Sequence, residues 1–278
     1  MMRGMLGKGT VRLSLALLLI VGALALSAPW LGLPDPEEVN LAEKLAAPSA
    51  QHLLGTDHLG RDVLSRLIFG SRVSIGSVFA ILLLIVGFST FAGSLAGFAG
   101  GAVDSALMRI CDIFLTFPTL ILAMFFVGVL GTGLTNVILA IFLTHWAWYA
   151  RIVRGIVLSL KSREFVLAAR VAGTSRFRLV VRHILPSLAP QVLVLATLDI
   201  GHMMLHVAGL SFLGLGVQPP LPEWGVMIGD ARQFIWTQPQ LLLYPGLAIF
   251  VVVMAFNLLG DAMRDALDRS GMLEEAVK

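Results

Sequence analysis

The pattern of apolar and polar positions divides the chain into six long, nearly uninterrupted apolar runs joined by shorter polar segments. They lie near residues 12–33, 74–98, 107–130, 133–156, 188–213 and 241–260. A helix needs about 20 mostly apolar residues to cross a hydrocarbon core of ~30 Å, and each run is long enough. None shows the period-two alternation of a barrel strand, so the backbone polar groups must be satisfied within helices. The pattern predicts an all-α integral membrane protein with six transmembrane helices. The first run, RLSLALLLIVGALALSA, also has the basic flank, apolar core and small residues of a cleavable signal peptide, with a conceivable cut after Ser27. Its apolar stretch continues past Pro29 to Leu33, beyond the ~7–15 residues of a signal core. It is read here as a span, and the other five keep their orientation either way.

Composition agrees with the pattern: 57% of the 278 residues are hydrophobic, 13% are charged and the mean hydropathy is +0.88. Charge then sets the direction of threading, because Lys and Arg are retained on the cytoplasmic side. With the N-terminus inside, the inner segments hold Arg3, Lys8, Arg12, Arg109, eight basic residues from Arg151 to Arg182, Arg264, Arg269 and Lys278. Only Lys44, Arg61, Arg66, Arg72 and Arg232 remain outside, so the pattern predicts N-in, C-in. The net charge of +3 follows from this topology and carries no aromatic-interleaved basic patch that would bind nucleic acid. The lone Cys111 has no intrachain partner and is read as a packing residue. No GxxxxGK[ST] phosphate loop, HExxH pair or cysteine pair occurs. The chain is therefore not expected to be an enzyme or to hydrolyse ATP, and no cofactor is expected on it.

The polar stretch between the fourth and fifth runs, REFVLAARVAGTSRFRLVVRHILP (163–186), has its own internal order. Glu164 to Val171 are good helix formers, with Ala168 and Ala169 on a small face, and Gly173 can end that helix in a left-handed turn. A second helical piece, Thr174 to Leu185, is expected to follow at an angle, capped by Thr174 or Ser175 and closed by Pro186. A positive-inside loop alone would explain the arginines but not the Ala-Ala, Gly and Ile-Leu-Pro spacing.

That spacing, carried by Glu164, Ala168, Ala169, Gly173, Ile184, Leu185 and Pro186, resembles the EAA loop of permease subunits of ATP-binding-cassette importers. LGTDHLGRDVLSRLIFGSRVSIG (54–76), LSFLGLGVQPP and FNLLGDAMRDALD resemble its dipeptide, oligopeptide and nickel branch, so the likeness covers nearly the whole chain and is greatest to nickel-carrying members. The resemblance implies a type I importer permease fold in a bacterial cytoplasmic membrane. It also implies as partners a second homologous permease subunit, two ATPase subunits that use the ATP, and an outer substrate-binding protein. It divides the chain into an N-terminal helix and outer loop (1–73), a core permease domain (74–262) with its coupling loop (157–187), and an inner tail (263–278).

DIGHMMLHVAG (199–209) places ionisable residues inside the fifth run. Asp199, His202, Met203 and His206 are spaced to share one helical stripe, with Met204 pointing elsewhere. An ionised aspartate near mid-membrane costs about 2.5–3.5 kcal/mol, so the stripe should face a bundle interior or a watery path. Imidazole suits nickel and a carboxylate adds charge, so Asp199, His202 and His206 are candidate transient metal ligands, with Met203 beside them on the path. They can equally bind a chelate's organic part, or hydrogen-bond neighbouring helices. Peptide-carrying relatives usually place an acid just before LSFLGLG, where this chain has HVAG. The rival readings are a dipeptide or oligopeptide importer, and an ion-coupled secondary transporter using Asp199 as a protonatable site.

Other candidates each carry two readings. Asp57, Arg61 and Asp62 either pair among themselves or serve outer gating and receptor docking. Trp224 and Trp236 either anchor at the membrane interface or touch the receptor. Arg109 and Asp112 are spaced for a local ion pair, and Pro118 is expected to kink the third span. His145 is read as an interfacial anchor first and a path residue second, and His52 and His58 as solvated loop residues that can meet arriving metal.

Overall fold

The computed structural model describes residues 9–276, with side chains described through residue 267. Arg3, Lys8, Lys278 and the side chain of Arg269 lie outside the described residues. The chain runs through α1 (Gly9–Ser27), α2 (Val63–Ala99), α3 (Gly101–Leu115), α4 (Thr119–Leu130), α5 (Leu134–Lys161) and α6 (Glu164–Val171). It continues through α7 (Arg176–Leu179), a π turn (Val180–Ile184), α8 (Leu185–Phe212), α9 (Trp224–Ala231) and α10 (Gln240–Ala276). Among the described residues, five stretches are long and apolar enough to cross a membrane, or six if α3 and α4 form one broken span.

Three features differ from the expectation. The third run is not one kinked helix, because α3 and α4 meet at 89°. Pro118 has no N–H to continue the ladder and disfavours helical geometry at Phe117, so the chain leaves α3 at Thr116 and restarts with Pro118 as the cap of α4. The second helix begins at Val63 rather than near residue 74. Its polar first turns hide their polarity: Ser71 Oγ donates to Ile68 O (2.5 Å), Ser77 Oγ to Ser74 O (2.9 Å), and Arg66 Nη1 to Pro36 O (2.9 Å) and Pro220 O (3.1 Å). Pro186 does not close a helix either. Helical structure continues from Arg176 to Phe212, and the π turn just before the proline sends the Leu185 N–H to Val180 O. Widening that turn relieves the clash between the proline ring and the preceding carbonyls.

The bundle packs around α2, α5 and α8. A small-residue stretch of α2 (Ala92, Gly93, Ala96, Gly97) lets its backbone approach α5 closely. A Cβ at Gly93 would lie 2.5 Å from Ala150 O and 2.7 Å from Val153 Cβ, so only glycine fits this crossing. Ile81 and Ile85 of α2, Ile141 and Tyr149 of α5, Val207 of α8, Trp224 of α9 and Val252 of α10 share the main core. Met203 and Met204 are both in it, so Met204 does not point away from its neighbour. At the other end, Lys161 Nζ donates to Phe98 O (2.9 Å) at the C-terminus of α2, where a cation offsets unpaired carbonyls. Arg154 grips Asp104 of α3 through Nε (2.5 Å) and Nη2 (2.6 Å). Asp112 pairs with Arg151 of α5 rather than with Arg109.

Candidate functional site

The first candidate is the projection between α5 and α8. Helix α6 starts at Glu164 after Arg163 and ends in a Schellman turn: Gly173 N donates to Arg170 O (3.1 Å) and Thr174 N to Ala169 O (3.1 Å). Gly173 adopts φ +81°, and nothing lies within 4 Å of the position its Cβ would occupy, so the glycine is required by conformation and not by space. Val166 and Leu179 turn inward, and Ile184 is fully buried among Val153, Val157, Leu160, Leu188 and Val192. Leu185 packs beside that cluster and Pro186 is exposed. Of the seven residues singled out here, Ile184 is therefore the root of the projection. Glu164, Ala168 and Gly173 belong to its exposed surface and Ala169 is half-buried. The apolar groups offered outward are ones the spacing did not single out: Val171 is 90% exposed and Phe177 79%.

The second candidate surrounds Asp199, whose carboxylate is buried between α8 and α5. Its Oδ2 accepts from Tyr149 Oη at 3.1 Å and lies 3.2 Å from His145 Nε2. Its Oδ1 lies 3.2 Å from His202 Nδ1. His206 Nδ1 donates to the His202 carbonyl (2.7 Å), and its ring centroid is 6.1 Å from that of His145. Successive helix residues are rotated by about 100°, which places Met203 to one side of Asp199 and His202 to the other. Met203 falls in the core while the His202 side chain is 74% exposed, so the expected four-residue stripe splits. Asp199, His202 and His206 stay together and Met203 leaves. His145 and Tyr149 were missed as partners because they sit on another helix, some 50 positions earlier. Among the described residues, no three His, Cys, Asp or Glu side chains converge as a cage for a metal ion, so the arrangement is open.

The third candidate joins the loop before α2 to α9. Arg61 is 1% exposed and joins Asp57 Oδ2 through Nε (2.6 Å) to Asp230 Oδ2 of α9 through Nη2 (2.9 Å). Asp62 caps α2 by accepting from Ser65 N (2.6 Å). Glu223 caps α9 by accepting from Val226 N (3.0 Å) and takes a hydrogen bond from Ser74 Oγ (2.9 Å). The Trp224 indole is buried against Gly70, with Nε1 donating to Leu67 O (2.9 Å), so the ring is packed inside the fold. The exposed aromatic here is Trp236, at 92%.

His58 stacks on Phe234 at 5.8 Å between centroids. His52 is not a solvated loop residue: Nδ1 is 2.9 Å from Asp62 Oδ2 and Nε2 is 3.3 Å from Glu43 Oε2. The hydrogen bond to Asp62 is the main reason its pKa is raised, with Glu43 adding to the rise and partial burial opposing it. The sign of the pH effect follows. The protonated imidazole stabilises this loop fully below the unfolded-state value of about 6.5, and the contribution fades as pH rises through the higher folded-state value. Proteolytic nicking between residues 43 and 62 is accordingly expected to be faster at pH 8 than at pH 6, with His52→Gln abolishing the difference. Equal nicking at both pH values in the parent chain would contradict it.

The chain is 58% identical over 267 residues, covering 96% of both chains, to the nickel transport system permease protein NikC of Escherichia coli strain K12. It is 42% identical over 245 residues to the dipeptide transport system permease protein DppC of Alkalihalophilus pseudofirmus, covering 88% of this chain and 81% of that one. Among solved structures, an inward facing conformation of the MetNI methionine ABC transporter superposes with a TM-score of 0.59. It covers 73% of this chain and 96% of that one at 19% identity, a likeness of fold alone. A family model described as the binding-protein-dependent transport system inner membrane component matches residues 89–270. The chain belongs to that family, as a multi-helix permease of the ATP-binding-cassette importer type.

Proposed function

We propose that this chain is one of two permease subunits of an importer that carries nickel ion or a nickel chelate inward, N-in and C-in, with ATP used by two partner ATPase subunits. A second homologous permease completes the path, and an outer substrate-binding protein delivers the cargo. The observation that carries the reading is the α6 projection: a short helix held by a glycine turn, rooted by Ile184 and presenting Val171 and Phe177 to a partner. Such a knob can enter a cleft on a soluble ATPase, and its rooting in the α5–α8 contact passes displacement into the helices around Asp199. The part of 157–187 best placed to transmit is the stretch between the end of α5 at Lys161 and the start of α7 at Arg176.

Nickel as cargo is supported by the 58% identity to NikC, against 42% to the dipeptide permease, and by an open carboxylate flanked by imidazoles. Transit needs weak, incomplete coordination, because a closed cage would retain its ion. The test is uptake of nickel and of a dipeptide by cells carrying the whole assembly, with Asp199, His202 and His206 replaced singly and together. The expected result is nickel uptake in the parent and a fall of roughly tenfold or more in Asp199→Ala. Normal nickel uptake by the triple variant would remove these residues from the path. Dipeptide uptake without nickel uptake would favour the peptide reading.

A further inference from the structure

His145 enters the reading above only as one of the imidazoles beside the Asp199 carboxylate. It stands on α5, within THWAWYAR, and its side chain is largely enclosed, with the ring beside Trp148 (5.5 Å between centroids) and Tyr149 (5.9 Å). Its Nε2 is buried and has no hydrogen-bond partner, although Asp199 Oδ2 is 3.2 Å away, because the approach lacks hydrogen-bond alignment. A buried ring nitrogen left unpaired is destabilising. The same carboxylate oxygen already accepts from Tyr149 Oη.

Geometry offers a use for the unpaired nitrogen. Imidazole nitrogen and carboxylate oxygen bind a divalent transition metal at about 2.0–2.2 Å, so two ligands on adjacent corners of the ion stand roughly 3 Å apart. The 3.2 Å between His145 Nε2 and Asp199 Oδ2 matches such an edge. A second edge of the same length joins Asp199 Oδ1 to His202 Nδ1. The two oxygens of one carboxylate therefore each face one imidazole: His202, 74% exposed, and His145, 14% exposed.

We propose that His145 and Asp199 form an inner two-ligand station for a divalent transition-metal cation, fed across the Asp199 carboxylate from an outer station made with His202. Resting on the nickel reading of the cargo, the proposal adds a specificity-determining residue from a second helix. Two donors per station hold an ion loosely, and the shared carboxylate lets it move from one imidazole to the other without returning to water. Tyr149 is a positioning residue: its hydroxyl fixes the Oδ2 edge. His206, with Nδ1 committed to the His202 carbonyl, keeps Nε2 free beside the path.

The experiment uses the complete importer. Nickel, cobalt and zinc uptake are measured for the parent, His145→Asn and His145→Cys, and the visible spectrum of cobalt(II) is recorded on the purified complex. His145→Asn, which keeps polarity but coordinates poorly, should cut nickel uptake about tenfold or more and alter the cobalt bands. His145→Cys, which restores a donor of softer character, should recover uptake and shift preference from nickel toward zinc. If nickel uptake by His145→Asn stays within twofold of the parent, the inner station is overturned while the cargo reading stands. Equal loss in both variants with unchanged cobalt bands would make His145 a packing residue and overturn it too. A parent assembly that carries dipeptides and no metal overturns the cargo reading, and the station with it.

Discussion

Gly173→Val is expected to abolish most ATP-driven uptake while leaving the chain inserted and the partner ATPases able to hydrolyse ATP. The residue sits at φ +81° in the turn that ends α6, a conformation a β-branched side chain adopts at a cost of about 1–3 kcal/mol. That energy corresponds to roughly 5–150-fold in the population of the correctly bent projection. The cause is conformational, because no atom lies within 4 Å of the added Cβ. A series separates conformation from bulk. Asparagine tolerates the left-handed region and should stay near the parent, alanine should fall between, and valine should be worst, although asparagine and valine are similar in size. Uptake and ATP hydrolysis measured together on reconstituted complexes give the ratio of cargo moved to ATP consumed. If valine left that ratio unchanged, or if asparagine were as damaging as valine, the bend would not be what transmits the stroke.

Gly173 was legible in the sequence because its requirement is local: a run of helix formers followed by glycine names the turn without knowledge of the fold. The long apolar runs were legible for the same reason, and so was the Asp199, His202 and His206 series, since helical spacing is written in residue numbers. What could not be read depends on contacts between distant segments. Arg66 and Ser74 look like loop residues until the carbonyls of Pro36 and Pro220 and the Glu223 carboxylate arrive to satisfy them, so the start of α2 was placed too late. Trp224 looks like an interfacial aromatic until Gly70 of α2 opens a slot for its ring. His145 and Tyr149 share no spacing with Asp199, and only the packing of α5 on α8 brings them to it. Pro186 misled in the opposite direction, because its local signal is a helix stop and the π turn that overrides it has no sequence signature.

Arg61→Met is expected to cost about 3 kcal/mol of stability, the low end of the 3–5 kcal/mol seen when one partner of a buried ion pair is removed. The guanidinium bridges two carboxylates from segments far apart in sequence, Asp57 in the loop before α2 and Asp230 on α9. Its loss strands both, but unequally. Asp57 keeps hydrogen bonds from Leu59 N (2.8 Å) and Arg61 N (3.1 Å) and has Arg66 Nε at 3.5 Å, so much of its charge stays compensated. The Asp230 side chain is 26% exposed and can draw on water. These two reliefs place the penalty at the low end. Arg61→Lys should fare better than methionine yet worse than the parent, since an ammonium is a point charge and cannot span two carboxylates with the planar fork. Adding Asp230→Asn to Arg61→Met should recover part of the loss by removing the stranded charge, which loss of packing alone would not allow. Thermal denaturation of the detergent-purified complex, followed with tryptic cleavage in the loop before α2, measures all four chains. A methionine variant that melts with the parent would mean that the loop before α2 and α9 are held together by apolar contact and not by this arginine.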